Sequence, residues 1–131
     1  IAPGNGTLVA AVAAATGRQP VVTGKPHRPI MELARSRARV KRPLVIGDRL
    51  DTDIAAARAA GMDSLLVLTG VSAWQDLLGL PPDDLPTRVA PDLRVLGGHT
   101  DEVMTVLEDL VARLRSGDDV SGIERRLAQI Q

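Results

Sequence analysis

Apolar and polar positions follow two different spacings along this chain, and the spacings predict the order of its structural elements. Apolar residues three or four positions apart predict helices over residues 4–17, 29–39, 52–60, 101–114 and, as a short stripe, 123–130. Short apolar runs predict strands over residues 20–23, 44–46, 64–68 and 88–90. Because strands and helices alternate, the expected fold class is α/β: a Rossmann-like parallel sheet flanked by helices and followed by a C-terminal helical extension.

Residues with capping or turn chemistry mark the boundaries of several elements. Asn5 or Thr7 is expected to cap the first helix, and Gly17 is expected to end it. The two histidines are interpreted as boundary residues, His27 at the start of the second helix and His99 in an exposed turn. The apolar stripe of the first helix consists of Leu8, Val9 and Val12.

Length, charge balance and the lack of cysteine limit the number of domains, the partners and the location to be expected of this chain. A chain of 131 residues is long enough for one compact domain with a core. Its 16 basic and 16 acidic residues balance, and no apolar run could cross a bilayer, so neither a nucleic acid nor a membrane is an expected partner. The chain contains no cysteine, which fits a reducing compartment and a cytoplasmic location. Trp74 is interpreted as a packing residue, at a subunit contact if the chain forms a homodimer.

Three carboxylates crowd into six residues directly after the apolar run 44–46, namely Asp48, Asp51 and Asp53. In an open α/β sheet, ligands bind beyond the carboxyl ends of the strands, where Lys25 is also expected to lie. Like charges at this spacing repel one another unless a cation binds between them. Mg²⁺ prefers one or two carboxylates together with water and substrate phosphate. The pattern therefore predicts phosphate chemistry assisted by a divalent cation, with Asp48 best placed to reach the metal and Lys25 available for a phosphoryl oxygen.

The same acidic residues also have structural interpretations. Asp51 or Thr52 could serve only as the N-cap of the next helix, and Asp53 could be only a first-turn acid favoured by the helix dipole. Asp48 ends a strand rather than starting a helix, so capping does not explain it. Arg49 is interpreted as a solvated or salt-bridging residue rather than a ligand.

Four strings of residues follow one another along the chain: Gly-Lys-Pro at 24–26, Val-Ile-Gly-Asp-Arg-Leu-Asp-Thr-Asp-Ile at 45–54, Ala-Gly-Met at 60–62 and Leu-Val-Leu-Thr-Gly-Val at 66–71. Together they resemble the haloacid dehalogenase (HAD) superfamily and, within it, the NagD-like phosphatases. That group includes phosphoglycolate, glycerol-phosphate, pyridoxal-phosphate and nitrophenyl phosphatases. The resemblance covers roughly residues 4–96.

The resemblance implies a magnesium-dependent phosphatase that hydrolyses a small phosphomonoester, such as glycerol phosphate or phosphoglycolate, through an aspartyl-phosphate. By motif position it implies that Lys25 steadies the phosphoryl group and that Asp48 binds Mg²⁺. Asp53 would orient a magnesium-bound water or bond to Lys25, with Asp51 as an assisting acid.

The family's aspartate nucleophile has no counterpart in this chain, because no Asp-x-Asp-Gly-Thr string follows an apolar strand. The general acid/base, the phosphate-gripping Ser or Thr and most of the cap are absent too, so the chain resembles the carboxyl-terminal half of the enzyme. It is therefore expected to be inactive alone, and its sheet is expected to lack strands on one side.

The resemblance also implies a domain division and partners. Residues 1–19 are expected to be the end of the cap and the return to the core, and 20–99 the second half of the core. Residues 100–131 extend past the usual end of the family and are expected to be a helical extension. The expected partners are a small phosphorylated metabolite and the missing N-terminal half of the same polypeptide. The alternative hypothesis is a non-catalytic fragment or truncated paralogue that acts as an interaction module through the amphipathic surface of residues 101–130.

Overall fold

The structure is a computed structural model that describes residues 4–98 and 101–130, the latter without the side chain of Ile130. The interpretation of His99 therefore lies outside the described residues. The strands are β1 (Leu44–Gly47), β2 (Asp63–Val67) and β3 (Arg88–Ala90). The helices are α1 (Asn5–Thr16), α2 (Arg28–Ala38), α3 (Ala55–Ala59), α4 (Glu102–Ser116) and α5 (Ser121–Ile130).

The three strands form one parallel sheet in the order β1-β2-β3. Gly47 on β1 pairs with Leu66 on β2, which in turn pairs with Val89 on β3. Because all three strands run in the same direction, their carboxyl ends meet at one edge of the sheet. The prediction of a parallel α/β sheet flanked by helices is confirmed.

The main hydrophobic core lies between the sheet and α4. It joins Leu66 and Val89 of the sheet to Leu107 of α4, and α5 contributes Ile123 and Leu127. The apolar face of residues 101–130 is thus buried inside the molecule. This corrects the expectation that this face is a partner-binding surface, because its side chains already have internal partners.

A second cluster packs α2 and α3 beside β1. Met31 of α2 is buried against the alanines of α3, and Val45 of β1 packs against the same cluster. The Arg35 guanidinium donates a hydrogen bond to the main-chain oxygen of Ala60 at 2.9 Å. These contacts pack α2 against α3 and β1.

The predicted strand over residues 20–23 is wrong. These residues form no strand, and Val21 is 89% exposed. A strand needs a neighbour to pair with its backbone groups, and none of the described strands lies beside this segment. Instead, Thr23 O accepts a hydrogen bond from Ile30 N at 3.2 Å, which closes a turn ahead of α2.

The first helix forms as predicted and ends at Gly17, whose φ of 67° is in the left-handed region. The predicted cap is wrong, since Gly4 precedes the helix and no side chain caps it. The apolar stripe of α1 is exposed and lines an open groove of about 360 Å³. Although α1 is rich in Ala and Val, neither it nor any other helix of the described residues has the length and hydropathy for a bilayer span.

Leu107→Ala is expected to lower the free energy of unfolding by about 2–5 kcal/mol, because it leaves a cavity in the main core. The matched control Leu8→Ala, on the exposed face of α1, should change it by at most about 0.5 kcal/mol. Urea unfolding followed by circular dichroism measures both. Equal losses in the two variants would contradict this placement of the core.

Candidate functional site

Lys25 and Asp53 form an ion pair at the carboxyl end of β1. Lys25 Nζ lies 2.6 Å from Asp53 Oδ1. The Asp53 side chain is only 8% exposed, whereas that of Lys25 is 51% exposed. The pair joins the turn before α2 to the turn after β1, 28 residues apart in the chain. The structure therefore brings two of the predicted site residues into direct contact, with the ammonium group still open to solvent.

The backbone around Asp53 explains how its carboxylate reaches this position. The expected helix over residues 52–60 is shorter: a wider π-type turn over Leu50–Ile54 precedes α3. In this turn the N–H groups of Asp53 and Ile54 both donate to Arg49 O, each at 3.1 Å. Arg49 N donates to Asp53 Oδ2 at 3.2 Å, and a Cβ at Gly47 would overlap the Asp53 side chain. Asp53 thus packs directly against the glycine that ends β1.

Asp48 follows β1 directly and is held by the loop after β2. Its Oδ2 accepts a hydrogen bond from Val71 N at 3.0 Å, and its main-chain oxygen accepts one from Ser72 N at 3.0 Å. A Cβ at Gly70 would overlap the Asp48 carboxylate. Within the described residues Oδ1 of Asp48 accepts no hydrogen bond, and the residue is half-buried.

The loop residues that hold Asp48 were not predicted from the sequence. Ser72 is buried, and its Oγ accepts a hydrogen bond from Leu50 N at 3.1 Å. Ser72 therefore forms hydrogen bonds with both Asp48 and Leu50, the residues on either side of Arg49. The available signal was a glycine and a serine two positions apart just beyond β2, at the edge where the strand ends meet.

Asp51 contacts neither Asp48 nor the pair of Lys25 with Asp53 in the hydrogen bonds of the described residues. It is exposed and pairs with the Arg49 guanidinium, with Nε to Oδ1 at 3.0 Å and Nη2 to Oδ2 at 2.7 Å. The hydrogen bond from Arg49 holds the pKa of Asp51 below its usual value. Arg49 is thus a salt-bridging residue, as predicted. The capping interpretation of Asp51 and Thr52 is wrong, because Arg49 precedes the turn and no side chain caps it.

The arrangement offers separate positions for an anion and a cation. The half-exposed ammonium of Lys25 can donate to an anionic oxygen, while Asp48 Oδ1 can bind a hard cation. Among the described residues no three His, Cys, Asp or Glu side chains converge as metal ligands. Asp48 therefore fits magnesium as one ligand of a set whose other members are water, substrate oxygen or groups outside these residues.

A parallel sheet with an aspartate and a lysine-paired aspartate beyond its edge strand defines the class as an open α/β domain with a candidate ligand site at the strand ends. The HAD-hydrolase-like family matches residues 22–96. The chain belongs to this family, and its relatives place it with the NagD-like members.

The curated relatives are much longer than this chain. It is 50% identical over 94 residues to D-glycerol 3-phosphate phosphatase of Mycobacterium tuberculosis, a match that covers 72% of the chain and 27% of the relative. It is 38% identical over 111 residues to glycerol-3-phosphate phosphatase of Gallus gallus, covering 82% of the chain and 35% of the relative. The chain thus spans about a quarter to a third of their length.

Solved structures share the fold over a similar part of their length. Glycerol phosphate phosphatase of M. tuberculosis in complex with magnesium matches with a TM-score of 0.66 at 47% identity, covering 81% of this chain and 31% of that one. NagD from E. coli K-12 matches with a TM-score of 0.60 at 34% identity, covering 66% and 35%. The predicted resemblance to NagD-like proteins is confirmed.

Gly70→Ala is expected to lower the free energy of unfolding by about 1–3 kcal/mol, because the added methyl group must displace the Asp48 carboxylate. Gly79→Ala is the matched control, since a Cβ there meets no atom within 4 Å. It should be neutral or stabilise by up to about 1 kcal/mol. Urea unfolding measures both, and equal stability of the two variants would rule out the close approach of Gly70 to Asp48.

Arg49→Ala is expected to raise the pKa of Asp51 towards its usual value, because the hydrogen bond that lowers it is removed. The pKa of Asp119 should not change, since it is lowered by hydrogen bonds from Ser121 instead. Carbon-13 NMR titration of the side-chain carboxyl groups measures both. An unchanged pKa of Asp51 would show that the Arg49 contact does not persist in solution.

Proposed function

We propose that this chain supplies the metal-binding and phosphate-binding part of a magnesium-dependent phosphomonoesterase. The observation that carries the proposal is the ion pair between Lys25 and Asp53, which lies beyond the carboxyl end of β1, the strand that Asp48 follows directly. An ammonium and an aspartate next to each other can bind a phosphoryl group and its counter-cation together. The NagD-like relatives support the same chemistry, since two of them are glycerol 3-phosphate phosphatases.

In this proposal Lys25 is the group that touches the substrate. Its half-exposed ammonium donates hydrogen bonds to a phosphoryl oxygen. Asp53 is a positioning residue, because its buried carboxylate pairs with the Lys25 ammonium and holds it in place. Asp51 points to solvent with Arg49 and has no part in binding the phosphoryl group.

Asp48 would hold magnesium through Oδ1, while Val71 N keeps Oδ2 in place. When bound, the cation supplies positive charge that offsets the charge on the phosphoryl oxygens. The magnesium complex of the M. tuberculosis glycerol phosphate phosphatase supports this choice of ion.

The covalent step would use an aspartate that this chain does not supply. Its carboxylate oxygen forms a bond to phosphorus as the ester P–O bond breaks. The leaving oxygen takes a proton from a general acid, which this chain does not supply either, and departs as the alcohol. Water then cleaves the aspartyl-phosphate, which releases inorganic phosphate and restores the carboxylate. We therefore propose that the 131-residue chain alone does not hydrolyse phosphomonoesters. Glycerol phosphate and phosphoglycolate are the proposed class of substrate.

The proposal is tested in a chimera in which residues 22–96 of this chain replace the matched segment of the M. tuberculosis phosphatase. Asp48→Asn is expected to lower magnesium-dependent kcat/KM for glycerol 3-phosphate about 100-fold or more, because a neutral amide binds the cation far less well. Phosphate release across a range of magnesium concentrations provides the measurement.

Asp83→Asn is the control, since it removes the same charge from an exposed side chain in the turn that precedes β3. It should retain the activity of the unmodified chimera. Circular dichroism of both variants verifies that they fold. If Asp48→Asn were as active as Asp83→Asn, the role proposed for Asp48 would be wrong.

A further inference from the structure

We propose that a pocket at the amino ends of β1 and β2, lined by Arg35, Lys41, Arg42 and Asp63, binds inorganic hydrogenphosphate. This anion has two negative charges and one proton, and the pocket offers cations for the charges and a carboxylate for the proton. The pocket is separate from the candidate site, and its binding of phosphate does not depend on the proposed function.

The pocket lies at the edge of the sheet opposite Asp48. Pro43, which lines it, directly precedes β1, and Asp63 begins β2 and pairs with Leu44, the first residue of β1. Asp48 follows the last residue of β1. At a rise of about 3.3 Å per residue, the four residues of β1 separate the two places by about 13 Å. A small ligand in the pocket therefore does not reach the Asp48 carboxylate.

The volume of the pocket limits the size of its ligand. It is about 130 Å³, whereas sites for drug-sized ligands are about 300–1,000 Å³. A single tetrahedral oxyanion suits this volume, while a nucleotide would extend far outside it.

Positive charge is concentrated in the part of the chain that leads to this pocket. The first 47 residues contain eight lysine or arginine residues and one acidic residue, Glu32, which pairs with Arg28 at 2.9 Å. The dipole of α2 favours basic residues in its last turn, but Lys41 and Arg42 lie beyond its end at Ala38. The Lys41 ammonium forms no ion pair within the described residues. Lys41 therefore lacks a counter-charge that an anion in the pocket would supply.

The Arg35 guanidinium is held in place by the turn before β2. Its Nη2 donates hydrogen bonds to the main-chain oxygens of Ala60 and Gly61, at 2.9 and 3.2 Å. Its Nε and Nη1 donate none within the described residues. These two nitrogens therefore have N–H groups left for an anion. Because the side chain is already ordered, binding costs less conformational entropy than it would for a free arginine.

Among the described residues that line the pocket, Asp63 alone is acidic. Its Oδ2 accepts a hydrogen bond from Arg42 Nη2 at 2.8 Å, whereas its Oδ1 accepts none from the described residues. Against three cationic side chains, this carboxylate leaves an excess of two positive charges in the pocket. That excess equals the charge of hydrogenphosphate.

A carboxylate in an anion site selects ligands by their proton. The O–H of hydrogenphosphate can donate to Asp63 Oδ1, while its other oxygens accept from Lys41 and the guanidinium groups. Sulfate has the same shape and charge but no proton, so one of its oxygens would face the carboxylate without a hydrogen bond. The dianion of a phosphomonoester lacks the proton as well. The pocket is therefore expected to prefer inorganic phosphate to both.

Titration of the 131-residue chain with sodium phosphate, followed by NMR of the backbone amides, tests the inference. Sodium sulfate, glycerol 3-phosphate and sodium chloride are compared at matched ionic strength, above neutral pH, where phosphate is mainly the dianion. We expect phosphate to shift the amides of residues 61–63 saturably and to bind about tenfold more tightly than sulfate or the ester. The amides of residues 23–25 report binding at the candidate site separately.

Lys41→Gln removes the unpaired ammonium and is expected to weaken phosphate binding about fivefold or more. The matched control Arg37→Gln removes the same charge from an exposed side chain of α2 that does not line the pocket. It should change the affinity less than about twofold, because salt screens a distant exposed charge. Circular dichroism verifies that both variants fold. Equal weakening by the two substitutions would overturn the assignment of the pocket.

Asp63→Asn is a second variant, with an effect of the opposite sign on sulfate. It removes the carboxylate that repels sulfate, so sulfate should bind about fivefold more tightly and the preference for phosphate should fall. A purely structural role of Asp63 would weaken the binding of both anions together.

Four outcomes would overturn the inference. They are equal binding of phosphate and sulfate to the unmodified chain, shifts that follow ionic strength alone, shifts confined to residues 23–25, and an unchanged preference in Asp63→Asn. None of these measurements uses hydrolysis, so their result is independent of the test of the proposed function.

Discussion

The ion pair between Lys25 and Asp53 connects parts of the molecule that no strand pairing joins. A buried carboxylate is costly unless a cation or hydrogen-bond donors offset its charge, and Asp53 has both in the Lys25 ammonium and the N–H of Arg49. The absence of a side chain at Gly47 lets this carboxylate pack against the end of β1. The pair therefore fixes the segment before α2 against the strand end and leaves one side of the ammonium in solvent.

Asp48 depends on a different set of contacts, which come from the neighbouring strand. Because β1 and β2 are parallel and adjacent, the loops that follow them meet at the same edge. Gly70 allows the carboxylate of Asp48 to approach the second loop, and Ser72 ties both sides of the turn to that loop. Two strand ends and the segment before α2 thus assemble the candidate site, and each contributes a separate constraint on its geometry.

The candidate site lies beyond the carboxyl end of β1, an edge strand of the described sheet. Helices α4 and α5 pack against the sheet in the main core, whereas Leu44 and Ile46 of β1 are partly exposed.

The sequence by itself determined the elements that depend on local pattern. Strand β3 was predicted at its observed bounds, and β1 and β2 were predicted within one residue, so that Asp48 was correctly expected just after a strand. The strand over residues 20–23 was predicted wrongly because local β-propensity cannot supply a pairing partner. Gly70 and Ser72 were missed because their roles depend on contacts with Asp48 and Leu50, more than twenty positions away. Only the tertiary structure, which brings these distant segments together, decided which polar groups hold the site.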